Sequence, residues 1–362
     1  MQKFAFIIHP IDIRRDVARK YPIARYVPTP ILSAVLPHLS PKIASHITGI
    51  RSEATGVELE GWFIACPLTP EQLLTFPPEA VYERLVRCGR IAEDLGAGII
   101  GLGALTSVVG DGGKTVAERL GIAVTTGNSY TVATAVEGAK RGAVLMDTPL
   151  TEATVAVVGA AGSIGRTCAL LLAPEVAHLS LVGRNLSNLE PVRAEIAALN
   201  PNVTVTDDVG QGLRFADIVV TVTSSADAVI LPEHLKRGAV VCDVARPRDV
   251  SRRVARERED VLVIEGGVVA PPGDPNFRFN FGFPPKTAYA CMSETMILAM
   301  EAAETGRYES FTLGKTVSVE QAATMQRLAA RHGFKLAGFR SFEKGVSDEQ
   351  IARVRRAAGK TK

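Results

Sequence analysis

The chain has 362 residues, 46% of them hydrophobic and 22% charged, and a formal net charge of +3 at pH 7. This length allows two or three domains with a sizeable core, and the dispersed basic residues argue against a nucleic-acid-binding protein. No apolar run reaches the roughly 18 residues of a transmembrane helix and no signal-peptide pattern opens the chain, so we expect a cytoplasmic protein without a transmembrane segment. The five cysteines and six histidines lack metal-ligand spacing, and we expect no metal site.

The first 150 residues predict an N-terminal α/β domain that would bind the substrate. Five prolines from Pro22 to Pro41 predict an irregular arm, because each removes a backbone donor and restricts the preceding residue. The small polar residues at 125–130 stand between a strand and a helix, where they either cap the helix or hold a ligand. Around the arm, the pattern predicts strands over 4–8, 47–53, 57–65, 99–102 and 123–124 and helices over 12–20, 79–95 and from about 130 to 146.

From Thr151 the chain alternates strands and helices, as a doubly wound, Rossmann-type parallel sheet requires. The fold class is therefore expected to be α/β, with this sheet over 151–270, the N-terminal α/β substrate domain over 1–150 and a C-terminal helical segment over 271–362. The predicted strands are 154–158, 179–182, 203–206, 218–222, 240–244 and 261–264, and the predicted helices are 163–172, 187–199, 287–303 and 318–332.

The stretch from Val157 to Gly165 predicts a dinucleotide site. Gly159 would allow a sharp turn, Gly162 would let the backbone approach a pyrophosphate, and Gly165 would let the helix pack on its strand. The spacing is GxxGxxG, which departs from GxGxxG at Ala161. Ligands of such sheets bind beyond the carboxyl ends of the strands. The predicted cofactor-binding residues are Gly159, Ala161, Gly162, Ser163, Ile164, Gly165, Arg184, Asn185, Thr223, Ser224 and Gly267.

Arg184 predicts which nicotinamide cofactor is bound. It follows the second strand of the sheet, roughly 20 residues after the glycines, where an NAD enzyme carries an acidic residue for the ribose hydroxyl. A guanidinium there suits a 2′-phosphate, whereas a carboxylate would repel it. We therefore expect NADPH rather than NADH.

Five segments together resemble the long-chain acyl-acyl carrier protein reductases best known from cyanobacteria: 103–107, 125–129, 157–165, 266–269 and 290–294. The resemblance implies reduction of a fatty acyl thioester by NADPH to a fatty aldehyde, through an acyl group held on cysteine. The cysteine used in that family matches Cys291, and Cys66 also stands where relatives carry a cysteine. The stretches 28–41 and 274–285 depart from the family in composition.

The residue types independently suit this chemistry. Cysteine is a good nucleophile without a strong adjacent base, and a position near a helix N-terminus, as expected for Cys291, would favour its thiolate. The alternative is that Cys291 is a core residue. Ser107, Thr126 and Asn128 are candidate donors to the carbonyl oxygen, and with Cys291 they complete the predicted catalytic set.

A basic run near the end of the predicted sheet could attract an acidic acyl carrier protein, although such runs are usually solvated faces. It consists of Arg246, Arg248, Arg252, Arg253, Arg256 and Arg258. Two other functions remain open: a shikimate-type or other small-molecule NADP dehydrogenase without covalent catalysis, and a non-catalytic NADPH-binding sensor. Acyl chain length, carrier protein or coenzyme A as donor, whether reduction stops at the aldehyde, and the oligomeric state also remain open.

Overall fold

The computed structural model describes residues 1–225, 227–280, 282, 284–342 and 344–360. The strands are β1 Gln2–Ile8, β2 Lys42–Arg51, β3 Glu58–Ala65, β4 Ile99–Gly101, β5 Ala123–Thr125, β6 Thr154–Val158, β7 His178–Val182, β8 Val203–Thr206, β9 Ile218–Thr221, β10 Val240–Asp243, β11 Leu262–Glu265, β12 Val268–Ala270, β13 Gly273–Asn276, β14 Ala288–Tyr289, β15 Lys335–Leu336, β16 Arg340–Ser341 and β17 Lys344–Gly345. The helices are α1 Ile13–Lys20, α2 Thr29–Val35, α3 Pro70–Thr75, α4 Pro78–Asp94, α5 Lys114–Glu118, α6 Asn128–Leu145, α7 Ser163–Leu172, α8 Leu186–Ala197, α9 Val209–Leu213, α10 Arg252–Glu257, α11 Ala290–Thr305, α12 Val319–His332 and α13 Asp348–Ala357.

The chain divides into two compact units, and both are discontinuous in sequence. Unit 1 consists of Met1–Asn128, Val269–Lys315 and Thr324–Lys335, and unit 2 consists of Ser129–Val268, Thr316–Ala323 and the chain from Leu336 onward. The sequence had suggested three consecutive segments with boundaries at 150 and 270. The difference arises because parts of the C-terminal segment pack into each of the two units.

In unit 1, a buried hydrogen-bonded chain holds α12 in place. The Ser52 hydroxyl lies 2.7 Å from Nδ1 of His332, and Nε2 of His332 lies 2.6 Å from Oε1 of Glu301 in α11. His332 is fully buried, so each ring nitrogen needs a partner. This arrangement ties α12 and α11 to the turn between β2 and β3, although the three segments are far apart in sequence.

In unit 2, charged and apolar contacts hold the C-terminal region against the rest of the unit. Arg340 lies 3.9 Å from the carboxylate of Glu265 at the end of β11. Val354 of α13 belongs to the same buried cluster as Val155 of β6 and Val240 of β10. The sequence analysis did not predict α13, whose short amphipathic stretch stands out only once it packs on this core.

The sheet of unit 1 is mixed and has the order β13-β2-β3-β1-β4-β5. Strands β3, β1, β4 and β5 run parallel, whereas β2 pairs antiparallel with both β3 and β13. Helix α4 buries Val81, Leu85 and Cys88 against it. The four parallel strands therefore place the residues that follow them at one edge of the sheet.

The sheet of unit 2 is entirely parallel and has the order β11-β10-β9-β6-β7-β8. Counted from β6, this is the 3-2-1-4-5-6 order of a dinucleotide-binding sheet. The predicted α/β class and doubly wound sheet are confirmed. The order reverses between β6 and β9, and ligands of such sheets bind at this switch point.

The arm, which was expected to be irregular, contains short helical elements, and two phenylalanines that follow β13 pack against the sheet of unit 1. The arm contains α2 and single turns of 3-10 helix at Pro22–Tyr26 and Leu36–His38, each with a proline in its first two positions, where a missing N–H costs no hydrogen bond. Phe277 and Phe279 pack against Phe63, with ring centroids 5.9 Å and 6.3 Å away. Phe281 and Phe283 lie outside the described residues.

Across the described ranges, no helix combines the length and the apolar character needed to cross a membrane. In that same part of the chain, no group of three or more His, Cys, Asp or Glu side chains is arranged to hold a metal ion.

Candidate active site

The glycine turn of unit 2 has no room for side chains. Gly159 has φ of 85°, and a Cβ there would lie 2.6 Å from the carbonyl oxygen of Val222. A Cβ on Gly165 would lie 2.3 Å from the carbonyl oxygen of Gly159. Both distances are shorter than any normal contact, so the turn and the close packing of α7 on β6 require glycine.

The N-terminus of α7 leaves its backbone donors available. Its N-cap is Gly162, and no side chain caps the helix. Ala161 and Gly162 are exposed, and Ser163 and Ile164 form the first helical positions. The first N–H groups of a helix lack internal partners and carry a partial positive charge, so they suit a phosphate. The residues present therefore fit the pyrophosphate of a nicotinamide dinucleotide.

The rim residues next to this turn have distinct environments. Arg184 is exposed directly after β7, and no carboxylate among the described residues forms an ion pair with it. Asn185 caps α8 by accepting a hydrogen bond of 2.9 Å from the Ser187 N–H. Ser224 is exposed, and Gly267 has φ of 76°. The geometry thus leaves the Arg184 guanidinium available to a ligand, whereas the Asn185 side chain has a structural role.

Asp249 orients the predicted cofactor residue Thr223, and the sequence analysis missed it. Its carboxylate accepts hydrogen bonds from the Thr223 N–H at 2.8 Å, the Thr223 hydroxyl at 2.5 Å and the Thr221 hydroxyl at 2.6 Å. Burial raises the pKa of Asp249, and these hydrogen bonds oppose the rise. A single aspartate within an arginine-rich stretch has no periodic signal that would have revealed this role.

Cys291 lies in unit 1, at the second position of α11, with main chain close around it. A Cβ on Gly127 would lie 2.3 Å from both Cα and Cβ of Cys291, and a Cβ on Gly103 would lie 3.5 Å from its sulfur. Gly103 follows β4 and Gly127 follows β5, so the parallel strands bring two glycine turns to the cysteine. The sequence placed the start of this helix near 287, three residues before its actual start at Ala290.

The Cys291 thiol is held in its protonated form. Burial raises its pKa to about 12; hydrogen bonds from the main chain of Met292 and Ala104 oppose the rise, and the charge of Glu294 adds to it. The main-chain hydrogen bonds at the start of α11 lower the thiol pKa, in the direction expected for a helix N-terminus, but desolvation of the charged form outweighs them.

Glu294 is a buried carboxylate three residues after the cysteine, and the sequence analysis did not assign it a role. It is 0% exposed, and its Oε1 accepts hydrogen bonds from the hydroxyls of Thr125 at 2.6 Å and Thr312 at 2.9 Å. These two hydrogen bonds to one oxygen hold the Glu294 carboxylate next to Thr125, the last residue of β5. Its partner Thr125 is 169 residues away in sequence, so only the fold reveals the pair.

We expect Glu294→Gln to make the Cys291 thiol more reactive at neutral pH. Glutamine keeps an oxygen that can accept from the two threonines but lacks the charge that raises the thiol pKa. In the native protein, alkylation of Cys291 by iodoacetamide should increase about tenfold per pH unit from pH 7 to 10 without a plateau, because the thiolate is the reactive form. In the variant, the same pH dependence should be shifted to lower pH, so that Cys291 is alkylated roughly three- to tenfold faster at pH 8.

The matched control for this experiment is Glu301→Gln, which removes a carboxylate from the same helix. Glu301 pairs with His332 and Arg331 and does not influence the Cys291 pKa. Peptide mass spectrometry identifies the alkylated cysteine. An unchanged profile in Glu294→Gln, or the same shift in both variants, would contradict the electrostatic role of Glu294.

The other predicted catalytic residues are buried in unit 1, and two of their hydroxyls already have acceptors. Ser107 donates to the carbonyl oxygen of Ala104 at 2.7 Å, and Thr126 donates to that of Thr312 at 2.5 Å. A hydroxyl has one hydrogen, so each is engaged in this geometry. Asn128 is 7% exposed and begins α6 directly after Gly127. The hydroxyls therefore shape the two turns beside the cysteine.

Two non-glycine residues with a left-handed backbone take part in the contacts of Cys291 and Glu294. Ala104 and Thr312 have φ of 48° and 49°, a left-handed conformation that is uncommon for residues other than glycine. The main chain of Ala104 hydrogen-bonds the Cys291 sulfur, and Thr312 binds both Thr126 and Glu294. Such conformations persist where the surroundings impose them, and they are frequent at functional sites.

The five cysteines, all of which the structure describes, differ in access. Cys66, Cys88, Cys168 and Cys242 are buried, and Cys291 is partly exposed. The rival candidate Cys66 is 0% exposed and belongs to the core cluster of α4. Burial raises the pKa of its neighbour Cys88, and a hydrogen bond with Cys66 adds to this rise. Partial solvent exposure therefore favours Cys291 over Cys66 as the candidate nucleophile.

The arginine-rich stretch of unit 2 is largely neutralised. Arg246 and Arg248 lie 3.5 Å and 2.8 Å from the carboxylate of Glu265. Arg253 pairs with Glu257 at 2.9 Å, and Arg258 pairs with Asp260 at 2.8 Å. Arg252 and Arg256 remain exposed. The stretch therefore offers an acidic partner less positive charge than its sequence suggests.

Unit 2 has the fold of NAD(P)-dependent oxidoreductases, as its strand order and glycine turn define. A family model described as shikimate/quinate 5-dehydrogenase matches residues 143–265, which lie within this unit. The match supports nicotinamide-nucleotide binding. It does not reach the residues around Cys291.

Two curated proteins resemble most of the chain. It is 27% identical over 314 residues to a long-chain acyl-[acyl-carrier-protein] reductase of Synechococcus elongatus, an alignment that covers 82% of this chain and 87% of that protein. It is 29% identical over 313 residues to the aminotransferase PigE of a Serratia species, with 84% of this chain covered. The chain spans only 36% of PigE. The predicted relationship to the reductases is thus supported, and it extends equally to PigE.

Among solved structures, L-tryptophan dehydrogenase from Nostoc punctiforme aligns with 99% of this chain and 86% of its own. The TM-score is 0.41 and the sequence identity is 12%.

Proposed function

We propose that the protein reduces a long-chain fatty acyl thioester to a fatty aldehyde with NADPH, through an acyl group on Cys291. The observation that carries the proposal is the placement of this cysteine. It is partly exposed, whereas the other four are buried, and two glycine turns bring main chain against it. The similarity to the Synechococcus reductase over most of both chains supports an acyl carrier protein as donor of the acyl group.

In the acylation step we propose, the acyl group moves from the donor sulfur to the Cys291 sulfur. The Cys291 sulfur attacks the thioester carbonyl, the bond from that carbon to the donor sulfur breaks, and the Cys291 proton ends on the departing thiol. The product is a thioester on the protein, so the carbonyl stays activated. Main-chain N–H groups near the sulfur, such as that of Ala104, and the Asn128 side chain are the donors we propose for the carbonyl oxygen.

The cofactor supplies the hydride when it is bound. We propose that the α7 N-terminus holds its pyrophosphate and that Gly159, Gly162 and Gly165 allow the close approach. The chain's own contribution to reduction is to hold the acyl group and to stabilise charge on its oxygen. Release of the aldehyde then regenerates the Cys291 thiol.

Arg184 should determine the preference for NADPH. We expect Arg184→Ala to raise the KM for NADPH by roughly 10- to 100-fold, because charge-assisted hydrogen bonds to a phosphate contribute about 1.5 to 3 kcal/mol. The KM for NADH should change by less than about twofold, since NADH lacks the 2′-phosphate. Steady-state kinetics with each cofactor measures both values.

Arg214→Ala is the matched control, because Arg214 is also an exposed arginine of unit 2. It should leave both constants unchanged. Equal effects of Arg184→Ala on the two cofactors, or no effect on either, would overturn the assignment of NADPH through Arg184.

The proposed function itself is tested in two stages with a palmitoyl thioester. Without cofactor, mass spectrometry should find a palmitoyl adduct on Cys291. Addition of NADPH should then remove the adduct and release hexadecanal. Aldehyde formation without any adduct would exclude covalent catalysis, and absence of both adduct and aldehyde would exclude the reductase function.

A further inference from the structure

The Pro-rich arm carries much of the exposed apolar surface of the protein. Among the described residues, fifteen large hydrophobic side chains are exposed, and seven of them lie within residues 21–43. These seven are Tyr21, Ile23, Tyr26, Ile31, Val35, Leu39 and Ile43. Single exposed hydrophobic residues are normal on soluble proteins, but clusters of them mark interaction sites.

The arm is nevertheless an ordered part of unit 1. The Gln72 side-chain amide donates to the carbonyl oxygen of Ser33 at 2.7 Å, and the Arg84 guanidinium donates to that of Pro37 at 2.6 Å. The arm is thus held through its main chain, while Ile23 is 74% exposed and Tyr26 is 77% exposed. Helix α2 buries none of its own residues. Packing inside the unit does not explain why these side chains are apolar.

The charge around this apolar surface is positive. No Asp or Glu occurs between Asp16 and Glu53. Arg14, Lys20 and Arg25 are exposed. Each donates to a main-chain oxygen, at 2.5 Å, 2.8 Å and 3.0 Å respectively, and no carboxylate of the described residues pairs with them. Hydrogen bonds to carbonyl groups leave the positive charges uncompensated, so the surface attracts anions.

We propose that residues 21–43, with Arg14 and Lys20, form a docking surface for an anionic lipid bilayer. Exposed aliphatic and tyrosine side chains would enter the boundary between headgroups and acyl chains, and the basic side chains would contact lipid phosphates. Both attractions are needed for stable binding, because each alone is weak.

The arrangement of the apolar residues favours a bilayer over a protein partner. Ile23 and Tyr26 lie in the turn at Pro22–Tyr26, Ile31 and Val35 lie in α2, and Tyr21, Leu39 and Ile43 lie outside these two elements. A protein groove that receives a helix reads side chains at regular i, i+3, i+4 spacing along one continuous element. Ile31 and Val35 have this spacing on α2, but the other five exposed residues do not continue it, whereas a fluid bilayer accepts apolar groups without fixed spacing.

Sedimentation of the full-length protein with lipid vesicles tests this proposal without substrate or cofactor, so its outcome is independent of the proposed reductase activity. We expect binding to vesicles of phosphatidylcholine with phosphatidylglycerol, weaker binding to phosphatidylcholine alone, and a decrease with added salt. The triple variant Ile23→Ser/Tyr26→Ser/Ile31→Ser should reduce the partition coefficient at least about tenfold.

The matched control is Val144→Ser/Leu199→Ser/Phe215→Ser, which replaces three equally exposed apolar residues of unit 2. It should bind vesicles as the native protein does. A second variant, Arg14→Glu/Lys20→Glu/Arg25→Glu, should lose binding to the anionic vesicles. Circular dichroism and thermal unfolding verify that each variant is folded.

Two outcomes would overturn the proposal. The native protein could remain in the supernatant with anionic vesicles, or the arm variant and the control could bind equally. If the protein does not bind vesicles, two further measurements identify the partner. A change of oligomeric state in the variant Ile23→Ser/Tyr26→Ser/Ile31→Ser would indicate that the surface binds a second copy of the chain. Capture of a purified acyl carrier protein by the native protein but not by this variant would indicate an acidic protein partner.

Discussion

Replacement of Cys291 by alanine should lower the rate of acyl-thioester reduction at least about 10³-fold, because a covalent route has no substitute for its nucleophile. The proposed cofactor site lies in unit 2, whereas Cys291 belongs to unit 1. The dissociation constant for NADPH, measured by fluorescence titration, should therefore stay within about twofold of the native value. Loss of turnover with unchanged NADPH binding indicates a missing nucleophile, whereas loss of both indicates a misfolded protein.

Cys66→Ala is the control for this experiment, since Cys66 is the rival nucleophile. It is fully buried, and we expect its replacement to leave the rate within a few-fold of the native value. The converse result, with activity lost in Cys66→Ala and kept in Cys291→Ala, would assign the acyl group to Cys66.

The same variants separate the alternative functions. A shikimate-type dehydrogenase would reduce a keto acid at full rate in Cys291→Ala, because its reaction needs no thiol. A non-catalytic NADPH sensor would gain no acyl adduct on any cysteine of the native protein. Either result would contradict the proposed reductase.

Replacement of Gly127 by alanine should lower the turnover number by about 10²-fold or more, because the new methyl group would displace the nucleophile. Its carbon would lie 2.3 Å from Cα and Cβ of Cys291, so the start of α11 or the turn after β5 must move. A shift of about 1 Å at a reacting group is enough for a loss of this size.

Gly306→Ala is a closely matched control. Gly306 ends the same helix, α11, and has the same φ of 74° as Gly127, yet no atom lies within 4 Å of a Cβ built on it. Both substitutions should therefore lower the melting temperature through backbone strain of about 1 to 2 kcal/mol. Only Gly127→Ala should also lower the turnover number per folded molecule. Equal turnover numbers in the two variants would show that Gly127 does not position Cys291.

The local pattern of the sequence was sufficient for much of the fold. Strand β6 and helix α7 have the predicted bounds, 154–158 and 163–172, because buried parallel strands are continuous apolar runs and the glycine turn marks where the strand ends. The parallel sheet followed from the regular alternation of strands and helices. Helix α13 was missed because its apolar residues are few and gain their partners only in the folded core.

The candidate site was only partly predictable. Cys291 stood out by residue type and by resemblance, but the rise of its pKa to about 12 depends on burial and on Glu294, which no local pattern reveals. The proposed hydroxyl donors bind main-chain oxygens instead: Ser107 binds that of Ala104 within its own segment, and Thr126 binds that of Thr312, 186 residues away.

By itself, the sequence determined the α/β class and the glycine turn, because these depend on residue type and on spacing within about twenty positions. Cys291 was singled out as the candidate nucleophile by the family resemblance. The tertiary structure decided the two interleaved units, the buried contact of Glu294 with Thr125 and the protonation state of the Cys291 thiol. These features depend on burial and on contacts between residues far apart in the chain, and such contacts exist only after the chain has folded.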